Sequence, residues 1–227
     1  MERGIKALMS LVLAAGCVLV LASSVAYLIP GATHPFLDER PWLSANALWR
    51  ATLTLHVGSG VFCLPLGALL LSNRLALRWP RFHRILGRSY AIVLLFGMVP
   101  SGTYLSLFAK GGFATGSGFL LSGLFAAGCT VQGVRSATQG RIAQHREWMW
   151  RAYGQLASAI TFRIVHLALQ FTDMPYDTLY LVSLWTSVVG NAVIVEVIIY
   201  SLSRSSAQPA SDWRTHHKGV SPCVHPI

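Results

Sequence analysis

Apolar and polar positions are segregated along this chain into long, nearly unbroken apolar runs joined by short polar connections. Strands would show strict alternation and soluble amphipathic helices a one-sided stripe, and neither describes it. Six runs approach the roughly 20 apolar residues needed to cross about 30 Å of hydrocarbon: residues 7–28, 48–71, 89–108, 117–138, 152–171 and 178–201. Lipid offers no partner to backbone N–H and C=O groups, so each run must satisfy its own and is expected to be a helix. The predicted fold is all-α: a polytopic integral membrane bundle of about six transmembrane helices, forming one domain over residues 1–201. A polar tail, residues 202–227, is expected to be disordered.

Composition narrows the class. Hydrophobic residues make up 53% of the 227 and charged residues only 11%, too little polar surface for a soluble globule. The net charge of +10 would suggest a nucleic-acid partner in a soluble protein. Here the basic residues sit in alternate connections, so the partner they imply is the lipid bilayer and nucleic acid is excluded. Arg74, Arg78, Arg81, Arg84 and Arg88 lie between the second and third runs, and Arg135, Arg141, Arg146 and Arg151 surround the fourth connection. These connections are placed in the cytoplasm, with both termini. The first run could be a cleaved signal ending after Ala26, but it exceeds the 7–15 apolar residues of a signal core and is read as an uncleaved anchor.

Other chemistry is thin. Cys17, Cys63 and Cys129 fall inside runs and are read as packing residues, not a disulfide framework. The tail residues His216, His217, Cys223 and His225 lack the spacing of a fixed metal site. The glycine-rich "AKGGFATGSG" is a short connection and not a phosphate-binding turn. There is no acid pair, nucleophile elbow or zinc-helix spacing, so no hydrolytic or transferase machinery is visible.

One word occurs twice. "HRILGRSY", residues 83–90, and "HREWMWRAY", residues 145–153, both read His-Arg, a spacer, then Arg-x-Tyr at the start of an apolar run. Aligning them aligns the hairpins around them, which suggests an internal repeat of residues 48–108 and 117–171. Arg88, Tyr90, Arg151 and Tyr153 are explained by interfacial anchoring, the arginines snorkelling and the tyrosine hydroxyls staying in the headgroup region. The leading histidines, His83 and His145, are either interfacial polar residues or a facing pair of ligands.

Ionisable groups inside apolar runs usually face a partner or a cavity. His56 and His166 sit at similar depth near the outer side on different helices. A pair of imidazoles from two helices is what a bis-histidine b-type haem requires; His56 with His166 would form an outer site and His83 with His145 an inner one. Arg163, Asn191 and Glu196 are expected to form a polar cluster joining the fifth and sixth runs, either packing them or holding a haem propionate or anionic substrate.

The words "LHVGSG", "HRILGRSY", "HREWMWRAY", "TFRIVH" and "LWTSVVGNAVIVE", in that order from about residue 48 to residue 196, resemble the DUF2306 family of predicted bacterial membrane proteins. The resemblance implies a multi-pass protein of the bacterial inner membrane and brings no activity with it. The leading functional reading from the residues is a cytochrome-like electron carrier, with haem b as cofactor and a quinol or other membrane redox partner. The alternatives are a small-molecule or proton-coupled transporter and an accessory subunit without a ligand. The sequence does not fix the oligomeric state.

Overall fold

The computed structural model describes residues 2–29 and 35–207. Among these the secondary structure is entirely helical. Helix α1 spans Glu2–Val25 and runs into a 3-10 turn at Ala26–Leu28; short helices α2, Pro35–Asp38, and α3, Pro41–Ser44, follow. Helix α4 is Ala47–Leu70 and α5 is Asn73–Arg78. Helix α6, Pro80–Ile92, continues through a π-helical segment, Val93–Met98, into α7, Val99–Ser106. The bundle is completed by α8, Gly112–Thr138, α9, Ile142–Leu169, and α10, Tyr176–Ala207.

Local chemistry sets the ends. The Asn46 side chain accepts the Trp49 N–H at 3.1 Å and starts α4, satisfying one donor that a helix N-terminus leaves free. Pro80 opens α6 at a position where its missing N–H costs nothing. At the end of α8, Gly140 adopts φ +73°. The N–H of Arg141 then reaches Ser136 O and that of Gly140 reaches Ala137 O, the paired bonds of a Schellman turn. In the middle of the third span, Pro100 has no N–H to return to the preceding turn, and the strain is taken up as the π segment just before it.

Helix limits refine the sequence reading. The third span begins at Pro80 and the fifth at Ile142, nine and ten residues earlier than their apolar runs, because helix continues through the basic segments. The sixth runs to Ala207, so the first residues of the expected tail are helical; residues 208–227, with the tail histidines and Cys223, lie outside the described residues. Among the described residues five helices are long and apolar enough to cross a membrane. The expected fifth span, α9, is long enough at 28 residues but more polar. Its position accounts for this: it packs along α8 and α10 and touches α1 and α4, so neighbouring helices rather than lipid receive its polar groups.

Candidate functional site

The end of the bundle that bears the arginine-rich connections holds the two repeated words. His83 lies in the first turn of α6 and His145 in the first turn of α9, so both stand on helices and not in loops. His145 Nδ1 lies 2.9 Å from Gly133 O on α8. A carbonyl only accepts, so Nδ1 carries a proton, and in the neutral imidazole Nε2 is then the nitrogen with the lone pair. His83 Nδ1 is buried with no hydrogen-bond partner among the described residues. His145 is close enough to bear electrostatically on His83, and the fold puts the pair that begins the two words at the same end of the bundle.

The tyrosines that end the words do something the sequence reading missed. Tyr90 and Tyr153 are 1% and 4% exposed, which overturns their assignment as interfacial anchors. Both rings close on Gly67 of α4: a Cβ there would lie 2.5 Å from Tyr153 Cδ2 and 3.0 Å from Tyr90 Cε2. Tyr153 donates its hydroxyl to Leu64 O at 3.1 Å, while the Tyr90 hydroxyl is buried without a partner among the described residues. Burial of the rings outweighs the cost of one unpaired hydroxyl, because each aromatic side chain removes about 150–250 Å² of surface when buried. One glycine on α4 thus joins α6 to α9, about two turns from the histidines.

His56 and His166 have different surroundings. His56 Nδ1 is 3.1 Å from Met98 O, at the end of the π segment, and 3.2 Å from Ser101 Oγ. Its ring lies against α7, where a Cβ on Gly102 would be 3.0 Å from His56 Cε1. His166 stacks on Phe162 with centroids 5.3 Å apart and meets Tyr176 and Tyr180 edge-on at 5.7 and 5.8 Å. The contacts of His56 therefore lead to the π segment and α7, and those of His166 to α10.

Arg163, Asn191 and Glu196 do not form one cluster. Arg163 turns to α1, donating to Ser23 Oγ at 3.0 Å and to Ser24 Oγ at 3.5 Å, and to Ala159 O in its own helix at 3.0 Å. Asn191 donates to Gly154 O and accepts from Thr161 Oγ1, both at 3.0 Å. Glu196 takes Arg151 in a bidentate pair of 2.6 and 2.9 Å. The antiparallel register explains the separation. Pairing Arg151 with Glu196 and Gly154 with Asn191 puts Arg163 level with about residue 183, some 12 Å along α10 from Asn191. A tie the sequence reading missed is Gln155, buried in α9, which accepts from Ser122 Oγ of α8 at 2.9 Å and donates to Val188 O of α10 at 3.3 Å. An uncharged amide in an apolar run is its only signal.

Beside the Arg151–Glu196 pair lies a groove of about 550 Å³, lined also by Phe125, Val193, Val197 and Tyr200. Among the described residues no group of three or more His, Cys, Asp or Glu side chains is placed to hold a metal ion. No curated protein and no solved structure matches the chain. The model of the DUF2306 predicted membrane proteins matches residues 53–199, more than half of the chain, so the chain belongs to the DUF2306 family.

Proposed function

We propose that this protein is a redox protein of the bacterial inner membrane that binds a b-type haem between His83 and His145 at its cytoplasmic end. The observation supporting this is the placement of two imidazoles from different helices within electrostatic reach of one another, one with its Nδ1–H tied to a backbone carbonyl. That tie is the usual support of a ligating histidine: it fixes the tautomer and aims Nε2 outward. On the other helix, the buried Nδ1 of His83 lacks a partner among the described residues, and such a group costs about 1–3 kcal/mol unless something beside it makes up the loss. The donor set, two neutral nitrogens, fits a bis-histidine haem. Arg84, Arg88 and Arg146 on the same two helices supply positive charge suited to propionates. Bound haem would supply reversible one-electron chemistry, exchanging with a quinol or another membrane donor. The residues' part is to orient the ligands and, through Tyr90 and Tyr153 on Gly67, to fix the distance between the two ligand helices. The proposal is confined to this pair, because His56 and His166 have their contacts on different helices.

The test is an optical spectrum of detergent-purified protein from haem-supplemented cells, oxidised and then dithionite-reduced. Sharp reduced bands of six-coordinate b-type haem are expected, lost in both His83→Ala and His145→Ala and retained in His56→Ala. A featureless spectrum from folded protein would sink the proposal. Bands that vanish only in His56→Ala or His166→Ala would move the haem to the opposite end.

A further inference from the structure

At the end of the bundle away from the arginine-rich connections, cationic and phenolic side chains from five parts of the chain lie within electrostatic reach of one another, and among the described residues no acid pairs with Arg163. Arg163 is permanently ionised. Its hydrogen bonds go to two serine hydroxyls and one carbonyl, all neutral, and among the described residues it makes no ion pair. The groups in electrostatic reach of it are Tyr27, after α1, and Tyr180 of α10. Tyr180 also lies within reach of Arg40 and Tyr176. Lys110, in the α7–α8 turn, sits 3.9 Å from the centroid of the Tyr176 ring and within reach of His166. A second cue is independent of charge. His166 Nδ1 is buried without a hydrogen-bond partner among the described residues, although its ring is held by three aromatic neighbours.

Among the described residues the acid in contact is Glu39, which takes Lys110 at 2.7 Å; the ammonium holds its carboxyl below the usual range. Asp38, Asp173 and Asp177 lie at the same end of the chain's spans, but none is among the charges acting on Arg163, His166 or Tyr180. A desolvated cation without a counter-charge is costly, and it is relieved by an anion from outside the chain.

We propose that this end is an oxyanion site, in which Arg163 and Lys110 hold a phosphate or carboxylate group beside His166, Tyr176 and Tyr180. The guanidinium fork and the phenolic hydroxyls are suited to a planar or tetrahedral oxyanion, to which charged hydrogen bonds are the strong ones. The ring cluster offers apolar surface for whatever bears the anion. Arg163 stands six residues before the end of α9, about 9 Å in from its terminus, a depth at which lipid headgroups and water-soluble anions can both present such a group.

Glu39 gives the site a signed test. It competes with the ligand for Lys110, so Glu39→Gln should tighten binding, whereas Arg163→Gln and Lys110→Gln should weaken it. Intact protein would be titrated with inorganic phosphate and with acetate by calorimetry in an uncharged detergent. In parallel it would be reconstituted into nanodiscs of phosphatidylcholine with and without phosphatidylglycerol, and retained lipid counted by native mass spectrometry. Phosphate or acetate binding, or selective retention of phosphatidylglycerol, that falls about tenfold or more in Lys110→Gln and rises in Glu39→Gln supports the site. Whichever arm responds identifies the source of the anion. Equal affinities in wild type, Lys110→Gln and Glu39→Gln, or no binding in either arm, would overturn it. Because Lys110 and Glu39 lie outside the spans, their variants keep the test independent of whether Arg163→Gln folds.

Discussion

Replacing Gly67 by alanine tests the junction on which the proposed ligand pair depends. The added methyl would stand 2.5 and 2.7 Å from two ring carbons of Tyr153 and 3.0 Å from one of Tyr90, so those atoms must separate by about 1 Å to reach ordinary carbon contact. Neither ring can simply swing aside. Both are almost fully buried, and the Tyr153 hydroxyl is held by Leu64 O. Overpacking of this kind costs about 1–3 kcal/mol, offset by at most about 1 kcal/mol for replacing a mid-helix glycine. Gly60 supplies the control within the same helix: a Cβ there meets nothing within 4 Å, so Gly60→Ala should be neutral or stabilise by up to about 1 kcal/mol. Thermal unfolding of the two variants in detergent should place them about 2 kcal/mol apart, with Gly67→Ala the weaker. If haem is bound, Gly67→Ala should also broaden or diminish its reduced bands, since the ligand helices are pushed apart two turns from the histidines. Equal stability in the two variants would refute the convergence of both tyrosines on Gly67.

Two further outcomes follow from the polar ties of α9. Gln155→Leu removes the bonds to Ser122 and Val188 and should cost about 1 kcal/mol in detergent unfolding, the scale of interhelical polar contacts in membranes, with no effect on haem bands or anion affinity. Arg151→Gln and Glu196→Gln should each destabilise, and a double-mutant cycle should return a coupling of about 0.5–1 kcal/mol that shrinks with added salt, because the pair is partly exposed. A coupling of zero would mean that the bidentate geometry contributes nothing between α9 and α10.

The membrane class and the spans are legible because hydrocarbon imposes one strong rule on long segments. Run 48–71 corresponds almost without change to helix Ala47–Leu70. The starts of the third and fifth spans are not legible, since apolarity marks where lipid begins and says nothing about how far a helix continues into water. That difference matters at the repeated words: reading 83–88 and 145–151 as loop hides the fact that His83 and His145 are helix-borne. The polarity of α9 is visible too, but in a lipid-facing span it reads as a set of functional pointers. In the bundle it marks a helix packed against four others, and Gln155 and Asn191 serve to join them.

What sequence could not supply was direction. Depth counted from span ends places Arg163 beside Asn191, yet the α9–α10 register separates them by about two turns, and Arg163 turns instead to the serines of α1. His56 and His166 agree in depth, but depth leaves the azimuth of each ring free. The orientation of His56 depends on the carbonyl of Met98 at the end of a π segment, a feature whose only trace in the sequence is Pro100. The repeated word, by contrast, specifies azimuth indirectly. A histidine and a tyrosine seven residues apart in one word and eight in the other lie about two turns from each other on a helix, on neighbouring faces. With both tyrosines buried against one glycine, the histidines stand at the same end of α6 and α9, within electrostatic reach of one another. The same packing constraint that makes the tyrosines poor anchors holds both word-bearing helices, α6 and α9, against α4.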